Sequence, residues 1–278
     1  MATLRRPLQT LVAALAVLAV ALPAAPQTAE HRFLGPDLEV LPLTDDEILE
    51  FLRTAEIVER QKISIGINGI DRLVLEQDGI RLRAGFREVD TRDRGVRVAG
   101  MVYPEFRDSY LFEPAAYRLS RALGITNVPP AVRRRIDRVN GSLQIWAEDT
   151  FEDATKTRPD NAMAWVRQLW NMYFFDSLIY NVDRNSGNIL VDQRFRLWMI
   201  DHTRAFQRKA APYKLERVEH VGRDVWERFQ RLQRSDYDEI FRGLLEAPQI
   251  GSLMQRRDKL IEHIKALIAE RPEGAVLF

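Results

Sequence analysis

The stretch "DSLIYNVDRNSGNILVD" (residues 176–192) is followed closely by "LWMIDHTRAF" (197–206). Together they place Asp183, Arg184, Asn188 and Asp201 near one another in the chain, between apolar segments. A carboxylate and an amide oxygen suit a hard cation such as Mg²⁺. A second carboxylate can take the proton of an attacking hydroxyl. Phosphoryl transfer uses both: metal ions neutralise developing charge, and a carboxylate orients the nucleophile. The plain alternative is a turn-rich connection whose Asp and Asn side chains only cap backbone groups. An apolar strand beside each anchor and a long helix before them are more than such a connection needs.

Other elements must hold these residues in place. Thr44 and Glu47 form a possible capping box, and Ile48, Leu49, Leu52 and Ile57 share a face, so residues 44–60 read as a helix. "KISIGING" and "RLVLEQ" read as strands, with a glycine turn between them. A turn at Asp78–Gly79 leads into "IRLRAGFREVD", where Ile80, Leu82, Ala84 and Phe86 alternate with Arg81, Arg83, Gly85 and Arg87. "TRDRGVRVAG" reads as a loop. "LFEPAAYRLSRALG" reads as a helix closed by Gly124, and "AVRRRIDRVNGSLQIWAED" as a hairpin turned at Asn140–Gly141. The first 150 residues thus hold about five strands, with one helix inserted after the third. Beyond them lie a long aromatic helix at 160–180, the short strand pair "NILVD" and "LWMID", and helices near 222–233, 236–246 and 250–270.

The chain has 278 residues, enough for one large domain or two small lobes. Its 41 basic and 40 acidic residues nearly cancel, so no global field draws it to nucleic acid. With no cysteine, it has no thiolate metal site, no thiol nucleophile and no disulfide partner. The N-terminus runs from the basic "MATLRRPLQT" through the apolar "LVAALAVLAVAL" to the small residues of "PAAPQTAE". That is the order of a secretory signal peptide, and the apolar run is shorter than the about 20 residues a spanning helix needs. Residues 1–29 therefore read as an export signal or an uncleaved anchor. Either would place the domain outside the cytoplasm, with membrane contact only through that segment.

The pattern N-x-D-R-x-x-x-N-x-L-x-D at 181–192, followed by W-x-I-D-H at 198–202, resembles the atypical kinases of the protein-kinase-like superfamily. That group includes the HipA-like kinases, the phosphatidylinositol 3- and 4-kinases and the secretory-pathway kinases. The spacing from Asp183 to Asn188 matches that from Asp to Asn in H-R-D-x-x-x-x-N. Asp201 ends an apolar strand where the Asp of D-F-G would stand. As in that group, Arg184 follows the aspartate instead of preceding it. The chain is most like bacterial proteins carrying I-Y-N-x-D-R-N-x-G-N. The resemblance covers roughly residues 60–205.

The resemblance implies an α+β, bilobal fold. An N-terminal helical extension (30–60) would precede a small β-rich N-lobe with one inserted helix (61–149) and a mostly helical C-lobe (150–278). It implies transfer of the γ-phosphoryl group of ATP, with Mg²⁺ or Mn²⁺, to a hydroxyl of an acceptor (protein, lipid or sugar) that the residues do not identify. Asp183 would act on that hydroxyl, Arg184 and Asn181 would support the loop, and Asn188 and Asp201 would bind metal. Gly66 and Gly69 would form the turn over the phosphates. Glu113 would pair with the nucleotide lysine, and Trp146 to Glu148 would form the hinge at adenine. From the residues alone, Glu113 reads equally well as a helix-start charge. Arg87 stands where the strand lysine belongs, and its planar fork is not an ammonium point charge. An exported pseudokinase, acting as a binding or regulatory module, is the alternative. His202 reads as a packing or hydrogen-bonding residue.

Overall fold

Thr44 opens the first helix, α1 (Asp45–Thr54), with a reciprocal cap: Glu47 N donates to Thr44 Oγ1 and Thr44 N donates to Glu47 Oε2. This and all that follows comes from a computed structural model describing residues 32–63, 69–98, 100–151 and 161–278. The N-terminal signal (1–29) and Gly66 lie outside the described residues. The helix ends sooner than the apolar spacing implies. Ala55 turns extended, and Ile57 falls on strand β1 (Glu56–Ile63). Helix ends leave carbonyls without partners. Here Arg134 takes two of them, donating from Nη1 to Leu52 O and from Nη2 to Ala55 O.

Strand β1 begins a five-stranded antiparallel sheet with β2 (Ile70–Gln77), β3 (Ile80–Arg87), β6 (Ala131–Ile136) and β7 (Val139–Ile145), in the order β1-β2-β3-β7-β6. The β2–β3 turn falls at Asp78–Gly79 as the sequence indicates, both residues having positive φ. Leu73, Leu75, Leu82, Ala84, Phe86, Leu143 and Ile145 point to one face and pack with Ile48 and Leu52 of α1.

The β6–β7 turn differs from the expected one. It lies at Asp137–Arg138, both left-handed, while Asn140 pairs with Arg135 and Gly141 with Arg134 inside the ladder. Gly141 is in the strand because of a close approach. A Cβ there would sit 2.5 Å from Arg87 O and 2.4 Å from the Phe86 ring.

Residues 90–98 are also not a loop. They form β4 (Asp90–Val98), paired with β5 (Met101–Ser109) as a two-stranded ribbon. Nearly all of β4 is exposed, so no alternating apolar face marks it as a strand. The pair is held by its backbone ladder and by Tyr103 and Phe106 on β5, buried with Tyr180 and Val182. The inserted helix α2 (Phe112–Leu123) thus follows the fifth strand, not the third, and closes on left-handed Gly124 as expected.

The second half is mainly helical: α3 (Ala162–Ile179), α4 (Arg223–Arg231), α5 (Arg234–Ile240), α6 (Ala247–Glu270) and α7 (Glu273–Val276). Between α3 and α4, β9 (Ile189–Asp192) and β10 (Leu197–Met199) pair antiparallel, with the short β8 (Thr150–Phe151) on the far edge of β9. The fold class is therefore α+β, a β-rich first part followed by a helical second part. Arg256 of α6 is fully buried and donates to the carbonyls of Leu178, Gln207 and Lys209. It thereby fixes both the end of α3 and the chain leaving Asp201.

Two glycine substitutions separate close packing from simple chain flexibility. Gly141→Ala should lower the unfolding free energy by about 1–3 kcal/mol, because its methyl group overpacks Phe86. Gly251→Ala in α6, with nothing within 4 Å of its Cβ, should raise it by about 0.4–1 kcal/mol. Urea-unfolding midpoints at constant m-value check both.

Candidate active site

Helix α3 hands over to the polar loop at Tyr180, which is left-handed at φ 55°. Asn181 then folds back on the helix, its Nδ2 donating to Asp176 Oδ1 at 3.0 Å and its Oδ1 accepting from Asp183 N at 3.2 Å. Arg184 points inward. Its Nε and Nη2 grip both oxygens of Asp176 at 3.0 Å, a bidentate pair. Its Nη1 donates to Asn188 O (2.8 Å) and Ile200 O (2.6 Å), and its Nη2 lies 2.9 Å from His202 Nε2. Asn188 completes the loop, donating from Nδ2 to Asp183 O at 2.7 Å and leaving Oδ1 as its acceptor atom. The loop is therefore fixed from within, and Asp183 and Asn188 line one cleft together.

Strand β10 delivers Asp201, whose backbone is left-handed at φ 58°. A non-glycine residue there is strained. The next residue explains how the strain is held. His202 is fully buried, its N donates to Glu113 Oε1 at 2.9 Å, and its Nδ1 lies 3.1 Å from Glu113 Oε2. Glu113 was expected to pair with the cation on β3. It pairs instead with His202, and the β3 cation, Arg87, lies 3.4 Å from Asp201 Oδ2.

Arg87, Glu113, Asp183, Asn188 and Asp201 line a cleft of about 380 Å³ together with Ile70, Trp146, Asp108 and Arg204. Ile145, Ala147, Leu190 and Ile200 add an apolar wall, and Arg87, Asp183, Asn188 and Asp201 form the polar end. Arg204 donates from Nε to Asp108 Oδ2 at 2.8 Å and from Nη1 to Asp183 Oδ2 at 3.2 Å. Burial pushes the Asp201 carboxyl above its ordinary value. Glu113 and Asp183 add to the rise, and Arg87 and the Thr203 hydroxyl only partly oppose it. Burial also pushes Glu113 upward, but the hydrogen bond and charge of His202 and the charge of Arg87 outweigh it and leave Glu113 below the usual range.

The structure thus gathers Arg87, Glu113, Trp146, Asp183, Asn188 and Asp201 at one cleft. It does not bring Glu148 there: that side chain pairs with Arg83 at 3.0 Å and lines a different cavity. Gly69, at φ 64°, stands just before β2 and does not line the cleft. Asp108, Gln144 and Arg204 belong to the lining and were not singled out in the sequence. Arg204 sits three residues after Asp201 in "DHTR", which was a usable signal. Asp108 lies on β5, a segment that the sequence pattern assigned to no element, so it carried none.

Among the described residues, no cluster of three or more His, Cys, Asp or Glu residues could enclose a metal ion. Mg²⁺ is commonly bound by one or two carboxylates plus substrate phosphates rather than by an all-protein cage. Asn188 and Asp201 stand together at the polar end of the cleft, beside its apolar wall.

Substitutions at two positions probe the supporting bonds. Arg184→Ala should cost about 3–5 kcal/mol of stability by stranding the buried Asp176, and Arg184→Lys should recover little of it. Glu113 is held below 4.5, so its ionised form stabilises the fold above that pH, and the stabilisation is lost as pH falls below it. Asp201 has the opposite sign: it is raised above 3.8, so its ionisation weakens the fold as pH rises through that region. Glu113→Gln should therefore flatten the acid loss of stability, read as urea midpoints at neutral pH and below pH 4.5.

No protein-family model and no curated protein matches the chain. Solved structures do match it. A Fam20 structure from hydra, solved with sugar, superposes with a TM-score of 0.65 at 14% identity, over 87% of this chain and 94% of that one. A Golgi casein kinase superposes with a TM-score of 0.61 at 16% identity, over 84% of this chain and 77% of that one. The same kinase with Mn and ADP bound gives a TM-score of 0.60 at 16% identity, over 84% and 78%. At such identities the likeness is one of fold. The chain shares the fold of these solved structures, with a β-rich first part and a helical second part.

Proposed function

We propose that the chain is an atypical kinase, transferring the γ-phosphoryl group of ATP to the hydroxyl of an acceptor, with Mg²⁺ or Mn²⁺ as the accompanying metal. One observation carries the reading: Asp183, Asn188 and Asp201 open into a single cleft beside the Arg87 guanidinium. The kinase fold and the neighbour solved with Mn and ADP support it. When bound, the metal would neutralise charge on the phosphates, with Asn188 and Asp201 holding it. Arg204 occupies Asp183 Oδ2, which leaves Oδ1 to accept the acceptor's proton and aim its oxygen. Arg87, beside Asp201, is placed to meet a phosphate oxygen in the role usually given to lysine. The basic, apolar and small segments of residues 1–29 support an extracytoplasmic location, reached by export or held by an uncleaved anchor.

A second reading keeps the fold without the chemistry. The Arg87–Asp201 contact favours it, since the arginine already sits on the carboxylate a metal would need. Thermal unfolding with ATP and Mg²⁺, together and separately, distinguishes the two. A ligand present at 100 times its dissociation constant stabilises a fold by about 2.7 kcal/mol. The kinase reading expects a shift that needs both components and disappears in Asp201→Asn. Arg87→Lys should keep or raise nucleotide affinity, while Arg87→Ala should lower it. A folded protein with no shift under any condition would leave the pseudokinase reading standing.

A further inference from the structure

A second cavity, of about 600 Å³, lies against the other side of the loop that carries Asp183. It falls within the range of about 300–1,000 Å³ typical of small-ligand sites. Trp165, Leu169, Met172 and Tyr173 of α3 form its apolar wall, and Val182 and Ile189 continue it. Asn185 lines both this cavity and the cleft, so the two sites share one loop.

The charged side chains of the lining say what such a cavity would take. Exposed Lys214 and Arg217 also line the cavity, and neither forms an ion pair among the described residues. Each rests on an aromatic ring, Lys214 on Tyr213 at 5.0 Å and Arg217 on Tyr173 at 5.7 Å. Asp176 is the acidic side chain of the lining, and the Arg184 fork already neutralises it. The cavity thus joins an apolar body to an edge with unpaired positive charge.

We propose that this cavity binds a single-chain amphiphile with an anionic head, its apolar chain along α3 and its head at Lys214 and Arg217. The proposal stands apart from the chemistry of the cleft. It places a lipid-derived ligand directly beneath the loop that presents Asp183.

Calorimetric titration of the full chain, below the micelle concentration, tests it with three probes: dodecanoate, dodecyl phosphate and dodecyltrimethylammonium. At least one anionic probe should bind with 1:1 stoichiometry, about tenfold or more tighter than the cationic one, a gap of about 1.4 kcal/mol. A preference for dodecanoate would mean a carboxylate head, and a preference for the phosphate a phospholipid-type head. The paired reversal Lys214→Glu and Arg217→Glu, at exposed positions, should weaken the anionic probe about tenfold and remove its advantage over the cation. Leu169→Trp should fill the cavity and abolish binding with the melting curve intact. Binding that ignores head charge, or that survives both the reversal and the filled cavity, would overturn the proposal, as would no binding of any probe. None of these readings uses nucleotide, so a failure here is distinct from a failure of the kinase reading.

Discussion

The Arg184 guanidinium is the interaction on which the rest of the site depends. One planar group reaches both oxygens of Asp176, two backbone carbonyls and the ring of His202. Through His202 the chain of contacts continues to Glu113 on the inserted helix. Four side chains, Asp176, Arg184, His202 and Glu113, therefore tie α3, the polar loop, the exit of β10 and α2 into one buried network. Networks of this kind are rigid when every member is satisfied and fragile when one is removed. The functional groups themselves take little part in it. They are held at its surface, which is how a site can be both fixed and open.

Much of this could be read from residue types. The chain places Asp183, Asn188 and Asp201 as their spacing implies, because a loop between a helix end and a short strand pair has few ways to run. Gly124 closes its helix, Thr44 opens the first one, and Asp78–Gly79 turns its hairpin. Each is a local rule acting on adjacent residues.

The misreadings share a cause of another kind. Nothing near Gly141 in sequence says that Phe86 and Arg87 O will press against it, so it looked like a turn residue. The ribbon strand at 90–98 has a backbone partner but almost no buried face, and alternation is the signal by which strands are found. Glu113 and Arg87 face the same region, yet which partner each meets was settled by His202, a residue remote in sequence from both. Arg134 stands in a run of three arginines on a strand, and nothing beside it in sequence shows that it closes the last turn of a helix. For Gly141, Glu113 and Arg134 the deciding atom comes from a distant part of the chain.

Asp201 sits in the left-handed region, where glycine is the residue of least strain. Foldedness alone would therefore be served by a glycine at this position, which would release backbone strain together with a raised, buried carboxyl. A population of variants selected only for heat resistance should drift toward glycine at 201, while selection that also requires the cleft to work should hold the aspartate. The identity of one residue under two selection regimes would report whether the strain is an accident of folding or the mark of a task.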